Sequence, residues 1–371
     1  MLVIWYGLIP IAGALFSRYK WSQFRRRFDE LRLNPLLDYR QYRRIGGEGG
    51  VFRFTGGIES ITDGHTLWVK GDNLTIPVSL ANTQSWLLPM QEEDGIPEVP
   101  ERIRWNHIST LTEGAKVFVG GLLTTQDNRL SFVSTKERPL MVIFYDCPDD
   151  TLTDGIIRAG RIRNEYWNSV TPISLAIGVL SQVYIAASFL NRPAFRLTVI
   201  SALIALFVPV LPWFPPGLLF TVLYRRLAWY AENFGSYRDL TRLPLRYLAT
   251  GQESSILYTG EKYGFKKYDS LPAGVKEGTL PFLLGKQSKK GKYSQWFVYG
   301  VLNGNDSPPE KSKDPFVSFG VLPADPHLLA RRYAIAAMVL EILAWAVLIL
   351  GVAVNIVFVF MILFQVHQLT F

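Results

Sequence analysis

Cysteine and histidine, the usual nucleophiles, bases and metal ligands, are few and scattered in this sequence. Cys147 is the single cysteine, and His65, His107, His327 and His367 each stand alone. A structural zinc site needs four such ligands at close spacing, and nucleophilic catalysis needs a base beside the nucleophile. We therefore predict no catalytic residue, metal site or cofactor, and expect that the chain is not an enzyme. A lone cysteine also excludes an intrachain disulfide, which fits a reducing compartment.

A run of carboxylates is the second group whose chemistry needs an explanation. Asp146, Asp149, Asp150 and Asp154 fall within nine residues. Oxygen ligands of this kind suit hard divalent cations. The run lacks the EF-hand ligand pattern, and an aspartate just before a helix is a common N-cap. The pattern therefore favours helix capping over a cation site.

Two glycine-containing segments resemble phosphate-binding loops only in part. Residues 46–50 lack the Gly-Lys-Ser/Thr ending that places a lysine and a hydroxyl on phosphate and magnesium. Residues 285–292 are rich in lysine, but no glycine lies five positions before Gly285. We predict a hinge for the first segment and a solvated hairpin tip for the second.

The elements that position these side chains begin with blocks of apolar residues, which are typical of an integral membrane protein. Four blocks predict four transmembrane helices, at residues 1–17, 165–190, 197–223 and within a final helix at 326–366. Prolines crowd the third block between Pro209 and Pro216, which indicates either one kinked helix or two helices. Almost no charged residue falls inside the predicted spans, and Glu341 is the one candidate for binding an ion or carrying protons there.

Basic residues predict the orientation of these helices. The chain has 39 Lys and Arg against 31 Asp and Glu, a formal net charge of +8. The basic residues follow the first and third blocks and precede the second and fourth, where cytoplasmic ends are expected. We therefore predict a multi-pass protein of the inner (cytoplasmic) membrane, with its soluble parts in the cytoplasm and both termini outside.

Two basic segments, 18–45 and 224–250, lie next to the predicted spans. In the first, Trp21, Phe24, Phe28 and Leu31 recur at helical spacing, so that one face is apolar and the rest cationic. Such a helix is typical of a membrane surface with anionic lipids. The residues predicted to contact lipid head groups are Arg25, Arg26, Arg27, Arg225 and Arg226. The alternative, an ordinary helix packed on its own soluble domain, stays open.

Strand and turn signals predict two small β-domains, at 46–150 and 251–322. Runs of alternating apolar residues, such as 66–70 and 74–78, are separated by Asp-Gly and Gly-Asp-Asn turns. The first domain is predicted as a barrel-like or sandwich-like set of about six strands. Residues 84–110 contain three prolines and an acidic run, and are predicted to form a surface loop.

The second β-domain repeats features of the first. Residues 117–123 recur as 297–302, and each copy is followed by a proline-led apolar run, at 139–145 and at 315–320. Residues 256–260 likewise match 52–56. We interpret the chain as one unit used twice: a membrane helix, a basic linker, a β-domain and another membrane helix.

These matched runs carry a resemblance to a known family. A Gly-containing strand followed by a Pro-led strand, at 117–123 with 139–145 and at 297–302 with 315–320, resembles the beside-a-membrane (GIDE-type) domains of membrane-anchored ubiquitin ligases and their prokaryotic relatives. The ligases add a RING finger of Cys and His, which one cysteine cannot build, so ligase activity is not implied. The architecture is also similar to the OB-type domains of NfeD-like proteins.

We therefore predict an α+β integral membrane protein with four transmembrane helices and two small cytoplasmic β-barrel or OB-like domains related by internal duplication. The predicted function is a non-enzymatic scaffold or adaptor that docks partner proteins or self-assembles beside anionic lipid head groups. One alternative is a component of a lipid or solute transporter or channel. A second is a membrane-tethered, OB-like nucleic-acid-binding protein. It is less favoured because the basic residues cluster at membrane boundaries and not on the strands.

Overall fold

The structure is a computed structural model that describes most of the chain. The described residues are 4–44, 49–62, 65–81, 83–88, 101–103, 115–126, 129–158, 161, 166–206, 217–248, 255–258, 261–270, 295–303 and 307–369. The fold divides into two compact units. The helical unit comprises Met1–Ser22, Ile162–Gly235 and Arg332–Phe371, and the β unit comprises Gln23–Arg161 and Ser236–Arg331. Both predicted β-domains therefore belong to one unit.

Seven α-helices account for the described helical residues apart from two short turns. They are α1 (Ile9–Arg32), α2 (Tyr39–Arg44), α3 (Asp149–Arg158), α4 (Thr171–Phe189), α5 (Arg196–Ala205), α6 (Gly217–Tyr247) and α7 (Pro326–Leu369). A π-helical turn, Ile4–Leu8, precedes α1, and a 3-10 turn, Pro193–Phe195, precedes α5. Asp325 caps α7 as predicted, because its Oδ1 accepts a 2.9 Å hydrogen bond from the His327 amide.

Twelve strands form two sheets in the described part of the β unit. The first sheet contains β1 (Gly50–Thr62), β2 (Thr66–Lys70), β3 (Thr75–Ser79), β4 (Gln84–Leu88), β5 (Glu101–Ile103), β6 (Lys116–Gln126), β7 (Arg129–Val133) and β8 (Met141–Tyr145). The second contains β9 (Ser255–Tyr258), β10 (Glu261–Tyr268), β11 (Trp296–Val301) and β12 (Gly320–Leu322).

Five strands of the first sheet close into a barrel. Their order is β1-β2-β3-β7-β6, and β6 pairs back onto β1 in antiparallel register from Gly50↔Leu123 to Gly57↔Lys116. The β3–β7 pairing is parallel. The inside of the barrel is filled by alternating apolar side chains such as Leu67, Val69 and Phe132, which are fully buried. Of the two expected forms, barrel-like and sandwich-like, the structure has the barrel, built from five strands where about six were expected.

The first sheet also extends beyond the barrel, which corrects one prediction. β8 pairs with β6 on one side and, in parallel, with β4 on the other, and β5 adds to β4. Part of the predicted surface loop at 84–110 is therefore strand. The prediction was wrong there because β4 finds its partner, β8, more than fifty residues later in the chain, beyond the reach of local turn signals.

The second sheet has the order β12-β11-β10-β9. β11 pairs in antiparallel fashion with β10 and β12, while β6 of the first sheet pairs in antiparallel fashion with β1, β7 and β8. The matches expected for residues 256–260 and 315–320 do not hold in detail. β9 pairs with β10 and not with β11, and only Gly320 of the second proline-led run is in a strand. Residues 285–292 lie outside the described part of the chain.

Helix α1 packs its apolar face on the barrel. Phe28 is 1% exposed, and its ring centroid lies 5.2 Å from that of Phe118 on β6. Phe24 lies 4.5 Å from Trp86 on β4 in the same way. Gly120 of β6 permits this approach, because a Cβ there would stand 3.1 Å from Leu31. The interpretation of this face as a membrane-surface helix was therefore wrong, and the alternative of packing on its own domain holds.

In the helical unit, the first residues of α1 are held to the start of α4. Pro10 has no amide N–H, so it cannot give the Tyr6 carbonyl the i→i−4 hydrogen bond of an α-helix. The Tyr166 hydroxyl donates to that carbonyl at 2.8 Å. The Ser174 hydroxyl likewise donates to the Trp5 carbonyl at 2.6 Å. Neighbouring side chains thus satisfy the backbone groups that the proline and the π-helical turn release.

The expectation of four transmembrane helices was wrong. Among the described residues, two helices are long and apolar enough to cross a membrane, Thr171–Phe189 and Pro326–Ile362. The first predicted span was 1–17, but α1 begins at Ile9 and reaches the charged Arg18 after too short an apolar stretch. The third is divided, because α5 ends at Ala205 and α6 begins at Gly217, with 207–216 outside the described residues.

Candidate functional site

Two features of the molecule can carry a function: apolar helices that face outward, and a buried cluster of charges between the two sheets. The helices α4 and α7 expose their apolar side chains. Only 22% of the most apolar stretch of α4, and 11% of that of α7, is buried. Tyr184 of α4 and Phe360 of α7 are among the most exposed. A core helix of a water-soluble protein would bury such residues. The two helices therefore support association with a membrane.

The five arginines predicted to contact head groups lie in different surroundings. Arg26, Arg225 and Arg226 are exposed, whereas Arg25 and Arg27 are half-buried on α1. Burial lowers the pKa of Arg27, and the nearby Glu30 carboxylate partly offsets this effect. The positions therefore do not form one equivalent set, and head-group contact stays a prediction for each.

The charges between the two sheets centre on Arg53 of β1. This side chain is fully buried, and its Nη1 donates to Asp314 Oδ1 at 2.9 Å while its Nη2 bonds the other carboxylate oxygen. Its Nε donates to the Asn34 carbonyl at 2.8 Å. Asp314 lies in the segment before β12, so this bidentate ion pair joins the barrel to the second sheet. Paired guanidinium and carboxylate groups of this geometry form strong, directional contacts.

A second layer of charges continues from this pair. Arg32, also fully buried, donates through Nη1 to the Phe316 carbonyl at 3.2 Å and through Nη2 to Asp29 at 3.3 Å. Arg246 of α6 bonds the other oxygen of Asp29. Burial and then the neighbouring Arg26 charge lower the pKa of Arg246. We call Asp29, Arg32, Arg53, Arg246 and Asp314 the ion cluster.

Aromatic rings pack against the ion cluster. Phe316 lies beneath Arg53, with the guanidinium carbon 5.4 Å from the ring centroid. The same ring is 5.3 Å from Phe118 of β6, which in turn contacts Phe28 of α1. The cation–π contact and the exclusion of water strengthen the electrostatic attraction inside the cluster. Barrel, helix and second sheet are thus held together at one point.

The acidic run at 146–154 is used in contacts within the protein. Asp149 at the start of α3 accepts from Lys116 Nζ at 2.9 Å and from the Tyr145 hydroxyl at 3.3 Å. Asp154 pairs with Arg158 at 3.0 Å, although burial raises its pKa. Asp146 is exposed. Among the described residues, no group of three or more His, Cys, Asp or Glu side chains is placed to hold a metal ion.

Cys147 lies beside this run and is buried. Burial is the main reason why the pKa of its thiol is raised, and a hydrogen bond from Thr151 partly opposes the shift. A thiol in this state is a poor nucleophile, because the thiolate is the reactive form.

Sequence reasoning missed the residues of the ion cluster. Arg53 sits in the alternating run Val51-Phe-Arg-Phe, which predicts a strand but says nothing about a partner for the arginine. In the structure Arg53 pairs across the strands with Gly120, which has no side chain to compete for space, but this register is not visible in the sequence. Its partner Asp314 lies 261 positions away, beyond any pattern in the sequence.

The comparisons with known proteins add no family to these observations. A scan against protein-family models found no match, and a search of curated proteins found no similar sequence.

Proposed function

We propose that this protein is a non-enzymatic membrane scaffold, whose two β-domains act as one rigid docking body for partner proteins or for further copies of the chain. The observation that carries the proposal is the ion cluster. Two separate adaptor domains on a tether would not need a buried, fully bonded Arg53–Asp314 pair between them. Burying such a pair is costly unless its geometry is well satisfied.

Anchoring is the second part of the proposal. The exposed apolar helices α4 and α7 hold the scaffold in a bilayer, and the basic residues that flank them favour the cytoplasmic side of an inner membrane. The barrel order β1-β2-β3-β7-β6 with a parallel β3–β7 contact supports the OB-like description. The central positions of β6 and β11 support an internal duplication.

Purification in mild detergent tests the scaffold directly. We expect the wild-type protein to elute with a stoichiometric partner or as a defined homo-oligomer, detected by native mass spectrometry. Arg53→Met should lose that association because the docking body comes apart. Lys116→Met removes an exposed ion pair of the same unit and should keep it. A monomer that has no partner but moves a solute across liposomes would contradict the scaffold and favour transport.

A second candidate is nucleic-acid binding by the barrel, which its OB-like topology favours. Lys70 is the one basic residue in β2 and β3, the strands that carry ligands in many OB-folds. Binding of single-stranded nucleic acid by the full chain would support this candidate over the scaffold. Its affinity should then fall steeply between about 50 and 200 mM salt, as it does for proteins that contact phosphates.

A further inference from the structure

Side-chain contacts within the helical unit show which residues of α1, α6 and α7 lie at the same level along the helix axes. Helices α6 and α7 run antiparallel, because Phe234 stacks on Tyr333 with centroids 6.0 Å apart, and Tyr224 contacts Trp345 at 6.4 Å. Arg18 of α1 donates to Glu341 of α7 at 2.7 Å. Trp345 is one helical turn after Glu341. Arg18, Tyr224 and Glu341 therefore lie at nearly the same level.

Each of the three helices changes from apolar to charged at this level. The described residues before Arg18 carry no charge, and neither do residues 217–224 of α6 before Arg225 and Arg226. After Glu341, α7 has no Asp, Glu, Lys or Arg through its end at Leu369. Contacts between helices thus bring three separate sequence boundaries into one plane.

Exposed aromatic side chains lie on both sides of the plane. They are Tyr19 on α1, Trp229 and Tyr230 on α6, and Trp345 on α7. Tryptophan and tyrosine, together with lysine and arginine, are enriched where membrane helices leave the hydrocarbon. The exposed aromatic side chains and the change from apolar to charged residues therefore mark the same level.

We propose that the bilayer boundary passes through the Arg18–Glu341 pair, and that Arg225 and Arg226 bind the phosphate groups of phospholipids there. This inference rests on the membrane association proposed above. It places residues 332–340 of α7 on the water side, although Arg331 and Arg332 would be the boundary expected from sequence. From residue 342 to residue 362, α7 rises by about 30 Å, which matches the hydrocarbon thickness of a bilayer.

The competing boundary, at Arg331 and Arg332, fits the structure less well. It would place Arg18, Lys20, Arg225 and Arg226 in the hydrocarbon, where charged side chains are among the most costly groups. Lys20, Arg225 and Arg226 are exposed on the helix surfaces. The proposed boundary leaves only a few apolar side chains, such as Ile335 and Met338, outside the hydrocarbon. An exposed apolar side chain outside the hydrocarbon is much less costly than an exposed charged side chain inside it.

Spin-label depth measurements test the boundary. Single cysteines replace Met338, Ile349 and Ile356, which are all exposed on α7, in a Cys147→Ala background and again with the buried Cys147 retained. In liposomes of phosphatidylcholine and phosphatidylglycerol, we expect the label at 338 to collide with a water-soluble nickel complex. The labels at 349 and 356 should collide with oxygen instead.

The outcomes separate this inference from the proposal on which it depends. A label at 338 as deep as that at 349 would overturn the boundary while leaving the membrane anchor intact. Collision of all three labels with the nickel complex would overturn the anchor itself.

Lipid retention tests the two arginines. Native mass spectrometry after detergent exchange counts the phosphatidylglycerol molecules that stay bound to the protein. We expect Arg225→Gln/Arg226→Gln to lower the retained lipid several-fold and Arg331→Gln/Arg332→Gln to leave it unchanged. Equal loss in both double variants, or loss in the second alone, would overturn the assignment of phosphate binding to Arg225 and Arg226.

Discussion

Arg53 and Asp314 form a two-pronged, buried ion pair although 261 positions separate them in the chain. Each partner is held in place by a local hydrogen bond of its own. The Arg53 amide donates to the Pro35 carbonyl at 3.1 Å, and Asp314 Oδ1 accepts from the Phe316 amide at 3.0 Å. The pair is thus preorganised from both sides, which reduces the entropic cost of forming it.

Removal of one partner should therefore be severe. Arg53→Met leaves the Asp314 carboxylate buried without its guanidinium, and we expect a loss of about 3–5 kcal/mol in the free energy of unfolding. Chemical unfolding in detergent measures this loss. The double variant Arg53→Met/Asp314→Leu should recover most of it, because neither member of the pair is left buried without its partner.

The matched control is the exposed Lys116–Asp149 pair, whose side chains are 45% and 37% accessible. Lys116→Met should cost less than about 1 kcal/mol. If Arg53→Met cost no more than Lys116→Met, the ion cluster would not be what joins the two sheets.

Two strand glycines of the second sheet should respond differently to the same change. A Cβ on Gly300 would stand 2.5 Å from the backbone oxygen of Glu310, whereas on Gly320 its nearest neighbour would be Pro244 at 3.7 Å. Gly300→Ala should destabilise by about 1–3 kcal/mol because backbone must shift. Gly320→Ala should be tolerated. Comparable midpoints of denaturation for the two variants would show that the close approach at Gly300 is not a constraint.

The contact between α1 and α4 predicts a coupling between Pro10 and Tyr166. Tyr166→Phe removes the hydroxyl that donates to the Tyr6 carbonyl, at an expected cost of about 0.6–1.7 kcal/mol in a membrane-like environment. Pro10→Ala supplies a backbone N–H four residues after that carbonyl, where an α-helix places the donor. The cost of Tyr166→Phe should therefore shrink in the Pro10→Ala background. Additive effects in this double-mutant cycle would argue against the role given to Tyr166.

Asp154 predicts a pH dependence in the β unit. Burial, only partly offset by Arg158, raises the pKa of its carboxyl in the folded state. Above the ordinary aspartate pKa of about 3.9, the folded state thus keeps a proton that the unfolded state has lost. Stability must fall as pH rises through this window. The unfolding free energy of the wild type should decline relative to Asp154→Asn from about pH 4 upward.

The sign of this relative slope shows whether burial or the pairing with Arg158 dominates at Asp154. A wild-type curve that rises with pH relative to Asp154→Asn would mean that the pairing with Arg158 outweighs burial.

Features that depend on neighbouring residues were predictable from the sequence. The alternation at 66–70 and the turn after it predict β2 correctly, and Asp325-Pro326 predicts the start of α7. These signals act over a few residues, so no distant partner is needed to interpret them.

Features that depend on a distant partner were not predictable. The spacing of Phe24, Phe28 and Leu31 shows that α1 has an apolar face, but the same spacing serves lipid and protein equally. The structure decides for protein because Phe118 and Gly120 of β6 lie against that face. The site at Arg53 was hidden for the same reason.

The most direct test of the whole account asks whether α4 and α7 cross a bilayer. Single cysteines replace Leu180 and Phe358, which are exposed on these helices, and Asp72 in an exposed turn of the barrel. A water-soluble maleimide is added to sealed liposomes before and after detergent. We predict that positions 180 and 358 react only after detergent, whereas position 72 reacts wherever the barrel faces outward. Equal reaction at all three positions in intact liposomes would contradict the membrane anchor.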